Sequence, residues 1–176
     1  MRTMHLILAL TLLPPALVAC NGDDDSDATP IRSATPFMSE TVEPSSSPSV
    51  EDEVGEAYLR YWDVYADAVF NLDESRLEGV MTGPQLQRTL EEIASLREQG
   101  RAAKIEVEHN FFVLDVDLAA GTAAVRDEYA NRSYLVDAET KELIGQPASG
   151  ETIKDTFSLT REGGTWKVRD SVRDVE

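Results

Sequence analysis

The sequence predicts an α+β domain, and three observations carry that expectation. Apolar residues recur at three- and four-residue spacing from Val54 to Leu96, the period changes to two after Gly100, and turn-forming residues separate the alternating segments that follow. Helices first and an antiparallel meander second is the order of a sheet folded over helices on one face. The composition turns globular at about residue 50, and the roughly 125 residues from there on are enough for one domain with a single core.

The first helix is marked by Val54, Tyr58, Tyr61, Trp62, Tyr65 and Val69 on one aromatic-rich stripe, with Ser49 as N-cap and Glu51, Asp52 and Glu53 in the first turn. Asp73 is placed to cap a short second helix from Glu74 to Met81. Thr82, before Gly83-Pro84, is placed to cap a third that carries Leu86, Leu90, Ile93 and Leu96 and ends at Gly100. Four strands are expected: Lys104 to Asp117, Thr122 to Asp137, Glu151 to Arg161 and Thr165 to Val175. Ala120-Gly121 and Gly163-Gly164 supply tight turns, and a short extra strand is expected at Glu142 to Ile144.

Two regions precede this domain. Residues 1 to 19 have one early cation, Arg2, an apolar run from Leu6 to Leu13, a Pro14-Pro15 break and small residues at the end, the organisation of an export signal and too short for a lasting membrane span. Residues 20 to 49 are rich in Ser, Thr, Pro and Asp with Phe37 the only aromatic, so they are expected to remain a disordered tether with a reach on the order of 30 Å. Asp23, Asp25 and Asp27 have the spacing of a calcium-loop start, but Ala28 and Ala34 stand where the turn glycine and the bidentate glutamate belong, which excludes that site.

Leu17-Val18-Ala19-Cys20 resembles a lipobox, the signature of bacterial lipoproteins. The resemblance implies that Cys20 is lipidated and becomes the first residue of the mature chain. Cys20 is the only cysteine, so no disulfide forms within the chain and the exported thiol is consumed by modification. Two acyl chains give stable anchoring where one gives marginal binding. The expected location is therefore extracytoplasmic, with the protein tied to the cell membrane or envelope through its lipid. Loss of the leader leaves 33 acidic against 15 basic residues, a formal charge of −18, which repels nucleic acid and anionic headgroups.

Three N-terminal helices followed by a curved antiparallel four-stranded sheet, closing on Gly163-Gly164-Thr165-Trp166-Lys167-Val168-Arg169-Asp170, resemble the NTF2-like cone, the superfamily of SnoaL-type cyclases and ketosteroid isomerase. The resemblance covers residues 50 to 176 and implies a pocket between the concave sheet face and the first helix. Alternation puts Ala123, Val125, Asp127 and Tyr129 on one face of the second strand, Ile153, Asp155, Phe157 and Leu159 on the third, and Trp166, Val168, Asp170 and Val172 on the fourth. On the first strand a β-bulge near Asn110 to Phe112 would join its two apolar runs into one face that includes His109. The candidate pocket residues are His109, Asp127, Tyr129, Asp155 and Asp170, with Tyr58 and Trp62 from the first helix.

Such a set suits acid/base chemistry, because apolar walls disfavour a carboxylate's charge and His109 can serve as a base or an oxyanion donor. The competing reading places the aspartates at a wet rim or, with the register shifted by one residue, in ion pairs with Arg126, Arg132 or Arg169. Outside the leader there is one histidine, which excludes a metal set, and no phosphate loop, nucleophile elbow or Walker motif implies a cofactor. The expected function is a non-enzymatic lipoprotein that binds a small apolar ligand or an envelope protein, with a homodimer through the sheet as a further possibility. The alternatives are a small-molecule lyase, isomerase or hydrolase, and a structural subunit of an envelope assembly. Cys20→Ser should release the folded chain from salt-washed membranes into the soluble exported fraction, as fractionation and immunoblotting would read; equal membrane retention would remove the lipid-anchor reading.

Overall fold

The computed structural model describes residues 48–174; the expectations placed on the leader, on Cys20 and on the tether up to residue 47 lie outside them. Helix α1 spans Val50–Asn71. The Ser49 side chain accepts the Asp52 amide and the Asp52 carboxylate accepts the Ser49 amide, a reciprocal box that satisfies two donors the helix itself leaves open. Val54, Tyr58, Tyr61 and Val69 are buried along the expected stripe, while Trp62 and Tyr65 are half-buried at its margin. Gly55 permits a close approach: a Cβ there would lie 3.3 Å from the Phe111 ring, which packs against this turn of the helix.

The expected second helix is a single 3-10 turn, Leu77–Gly79, and Asp73 bonds the Ser75 amide instead of capping a helix. Met81 explains the early stop, since it bridges to Val168 in the last strand and cannot stay helical. Helix α2 spans Gly83–Glu98, and Gly100 beyond it takes a left-handed φ of 64°, as a C-terminal glycine should. Its buried row is Gln85, Thr89, Ile93 and Leu96; Leu86 is partly buried, Leu90 is exposed, and Thr82 makes no side-chain cap bond.

The four expected strands are eight: β1 Arg101–Lys104, β2 Val107–Glu108, β3 Phe111–Asp117, β4 Thr122–Asn131, β5 Tyr134–Asp137, β6 Leu143–Ile144, β7 Glu151–Glu162 and β8 Thr165–Arg173. The first two expected strands break at matching places. The Arg132 amide donates to the Glu106 carbonyl and the Glu106 amide to the Ser133 hydroxyl, so both chains turn there and continue into a second sheet, β1-β5-β6. The main sheet runs β4-β7-β8, with β2 and β3 as two pieces of the one edge beside β4. The named strands all pair antiparallel, and the isolated bridge of Met81 to Val168 is parallel.

Two bulges set which side chains point inward. Glu108 faces Ala130 and Phe111 faces Asp127, so no residue is inserted at Asn110; the slip lies between Val113 and Asp115. His109 therefore joins Phe111 and Val113 on the inner face without the bulge expected beside it, and Phe112 and Leu114 point out. A second slip lies between Asp170 and Val168, opposite Ser158 and Leu159. It puts Ser171 rather than Asp170 opposite Phe157 and turns Val172 out to solvent.

The caps give a test of this assignment. Ser49→Ala should lower unfolding stability by about 1 kcal/mol and Thr82→Ala by less than about 0.5 kcal/mol in urea titrations, because only Ser49 holds a helix amide.

Candidate functional site

The inner face is occupied by its own side chains. Rings of Tyr58, Phe111 and Phe157 pack at 5.0–5.1 Å between centroids, and Trp62 lies across His109 at 4.8 Å and Tyr129 at 5.4 Å. These aromatic groups come from α1, the β2–β3 edge, β4 and β7, and they fill the concavity that the resemblance assigned to a ligand.

Within this packing Asp127 is completely buried. Its Oδ2 accepts the Tyr58 hydroxyl at 2.7 Å and lies 2.5 Å from His109 Nδ1, and its Oδ1 accepts the Asn110 amide at 3.0 Å. A carboxylate offers only acceptors, so the histidine proton in this pairing sits on Nδ1. His109 Nε2 has no protein partner among the described residues. Burial, followed by the bond to Asp127, pushes the Tyr58 hydroxyl well above the ordinary tyrosine range and keeps it a donor.

Asp155 sits directly across from Asp127 on β7 and is held separately. It accepts the Tyr129 hydroxyl at 2.6 Å and the Arg173 guanidinium at 2.8 Å. Burial and then Asp155 push Tyr129 up, and the same carboxylate raises Arg173. The expected residues Tyr58, Trp62, His109, Asp127, Tyr129 and Asp155 are thus brought together. Asp170 is not among them. It lies at the α2–β8 seam, 2.7 Å from Arg88, whose guanidinium also donates to Gln85, and Gln85 in turn donates to the Tyr61 hydroxyl.

What reaches solvent is a cleft of about 440 Å³ at the rim, where the two sheets diverge at Glu106 and Arg132. Trp62 and His109 form its inner wall, Asp63 and Ala66 of α1 one side, and Glu106 and Arg132 the other. Arg132 is tied to Glu108 at 3.0 Å. Arg132, Glu106 and Asp63 were missed by sequence reasoning, because their place depends on the paired strand breaks; Asn131-Arg132-Ser133 at the end of a long alternating run was the available signal. Asp127 and Asp155, by contrast, were legible from alternation alone, and Asp170 was not.

No family model matches the sequence, and none of the curated proteins matches it. Among solved structures, the intermembrane space region of the chloroplast protein ARC6 is similar over 74% of this chain and 100% of its own, with 14% identity and a TM-score of 0.57. That likeness is one of fold. Aln2 from a Streptomyces species (19% identity, TM-score 0.44, 73% of this chain and 92% of its own) is a looser match. So is a cystatin-like protein of unknown function from Nostoc punctiforme (11% identity, TM-score 0.42, 73% and 93%). Neither bears on the site.

Two carboxylates with opposite surroundings give a pH test. Burial raises Glu92, against the lowering bond from Tyr65, whereas the Arg88 bond holds Asp170 below the usual range. A raised acid contributes stability that is present below its unfolded value and lost as pH rises through its folded one; a lowered acid does the reverse. Glu92→Gln should therefore stabilise the fold at pH 7, an advantage that disappears below about pH 4. Asp170→Asn should destabilise by no more than about 1 kcal/mol at neutral pH, since the pair is partly exposed, and cost nothing at acid extremes. Thermal melts across pH would read both signs.

Proposed function

We propose that the chain is a lipid-anchored extracytoplasmic lipoprotein whose NTF2-like domain is a binding module, with the rim cleft as its ligand site. The anchoring rests on the lipobox and the lone Cys20. The observation that carries the binding reading is the filled interior: the inward carboxylates have their hydrogen bonds satisfied by Tyr58, His109, Tyr129, Arg173 and the Asn110 amide, and the open space begins only at Trp62 and His109. The cleft sets Trp62, Ala66, Ile105 and Val107 against five ionisable side chains, Asp63, Glu106, Glu108, His109 and Arg132, so apolar contact and polar orientation are both supplied to a ligand there.

One observation favours a second reading. His109 is oriented through Nδ1 by a buried carboxylate and borders the cleft with Nε2 unpartnered, the arrangement of a general base. Hydrolase, lyase or isomerase activity would then occur at the cleft and not inside the cone.

Ala66→Phe separates these readings from a structural role, since Ala66 lines the cleft without touching the Asp127 network. In a fragment screen by NMR, compounds that shift the Trp62 and His109 side-chain resonances should lose affinity by at least about tenfold in the variant, with an unchanged melting temperature. Absence of any compound at these resonances would remove the cleft as a ligand site, and turnover of such a compound that Ala66→Phe abolishes at an unchanged melting temperature would select the enzyme reading.

A further inference from the structure

Of the seven large apolar side chains exposed among the described residues, four belong to α1, β3 and the turn that follows: Leu59, Phe112, Leu114 and Leu118, 41–54% exposed; Leu90, Leu143 and Val172 are scattered on α2, β6 and β8. Farther in from Phe112, the same outer face of the sheet carries the ion pairs Arg126–Asp174, Glu128–Lys154 and Lys167–Glu162, with Val172 exposed on β8. Among the described residues β3 pairs only with β4, so the backbone groups on its other side are open. An unpaired strand that shows large apolar residues is a template for a further strand unless it is covered.

Between β3 and α1 runs a groove of about 560 Å³, in which Leu59 and Phe112 form apolar walls and Glu51, Asp52 and Glu56 line the helix side. Among the described residues no lysine or arginine lines it. Glu51 and Glu56 have no ion-pair partner among the described residues, although most basic side chains of the domain are paired with acids. Asp115 continues the negative charge along the strand. We propose that this edge and groove dock an extended segment of another protein in which apolar residues alternate with lysine or arginine, added as a strand beside β3. Apolar side chains on the outer face of the added strand would meet Phe112, and the cations on alternate positions, turned toward α1, would face Glu51 and Glu56.

Charge decides among the possible occupants. The chain's own residues 20 to 47 end beside the groove at Pro48, but they hold six acids and one cation, Arg32, and would bring like charge to Glu51 and Glu56. A second copy related by a two-fold axis would set the same acidic groove against itself. A basic partner segment is the occupant that satisfies both the edge and its charge.

The test is fluorescence anisotropy of the full chain in mild detergent at physiological ionic strength, with synthetic peptides of about nine residues, a length that spans a strand. The probes are an alternating Lys-Val peptide, its Glu-Val counterpart, and the Lys-Val peptide N-methylated at alternate backbone nitrogens, which keeps the charge and removes the strand donors. The Lys-Val peptide should bind at least about tenfold more tightly than either control. Phe112→Ala, and separately Glu51→Lys with Glu56→Lys, should each remove that preference, while Ala66→Phe in the cleft should leave it intact. Equal binding of the N-methylated peptide would mean general electrostatic attraction and overturn the proposal, as would undiminished binding to Phe112→Ala in a folded variant. A concentration-dependent dimer lost in Phe112→Asp, or peptide binding seen only after residues 21–47 are removed, would assign the groove to a second copy or to the chain itself, and likewise overturn it.

Discussion

The buried carboxylate of Asp127 is the constraint on which the rest of the domain depends. It lies on β4, and its donors come from α1, from the His109 ring and from the Asn110 backbone. A charge fully removed from water is tolerated only when each of its acceptors is met, and loss of one partner from such a group costs about 3–5 kcal/mol. The position of α1 over the sheet and the position of the edge beside β4 are thus fixed by the same two oxygens. Asp155 directly across would repel it, and Tyr129 with Arg173 gives that second carboxylate its own donors. The raised tyrosine hydroxyls keep both arrangements protonated at every ordinary pH.

From this follows the filled interior. A tyrosine that must reach Asp127 from α1 brings its ring into the concavity, and Phe111 and Phe157 close around it at edge-on and tilted angles. The remaining ring, Trp62, cannot go deeper and stays half-buried beside His109, where the sheets part. The break at Glu106 and Arg132 opens the rim because the backbone groups there bond across to each other and to Ser133, leaving the two strands free to diverge. The cleft is therefore a product of sheet bending as well as of side-chain size.

This division explains what was legible in the sequence. Period-two alternation placed Asp127, Tyr129 and Asp155 on the inner face correctly, because a one-residue error on a long central strand would have moved a whole apolar row into water. The aromatic stripe of α1 and the Ser49 cap were equally readable. Asp170 was misplaced because a bulge needs one extra residue and carries no residue signature of its own; nothing in Lys167-Val168-Arg169-Asp170 marks the slip. The buried row of α2 was read one residue off, at Leu86 and Leu90, because Gln85 is a poor core residue unless Tyr61 and Arg88 are there to bond it. The short second helix failed for a tertiary reason, the pairing of Met81 with Val168.

His109 belongs to both the core and the rim, and that dual place governs how function can be read from variants. One ring nitrogen completes the shell of Asp127, and the other borders the cleft. Any change at His109 therefore disturbs a buried charge at the same time as a surface site, and a lost activity there would not distinguish a reactive imidazole from a loosened helix. The groups that report on binding alone are those with no part in the Asp127 network: Ala66 in the cleft, and Phe112 with Glu51 and Glu56 at the open edge. The interior polar residues specify how α1, the edge and the central strands fit together, and both proposed sites of recognition lie at the margins, where the sheet bends or ends.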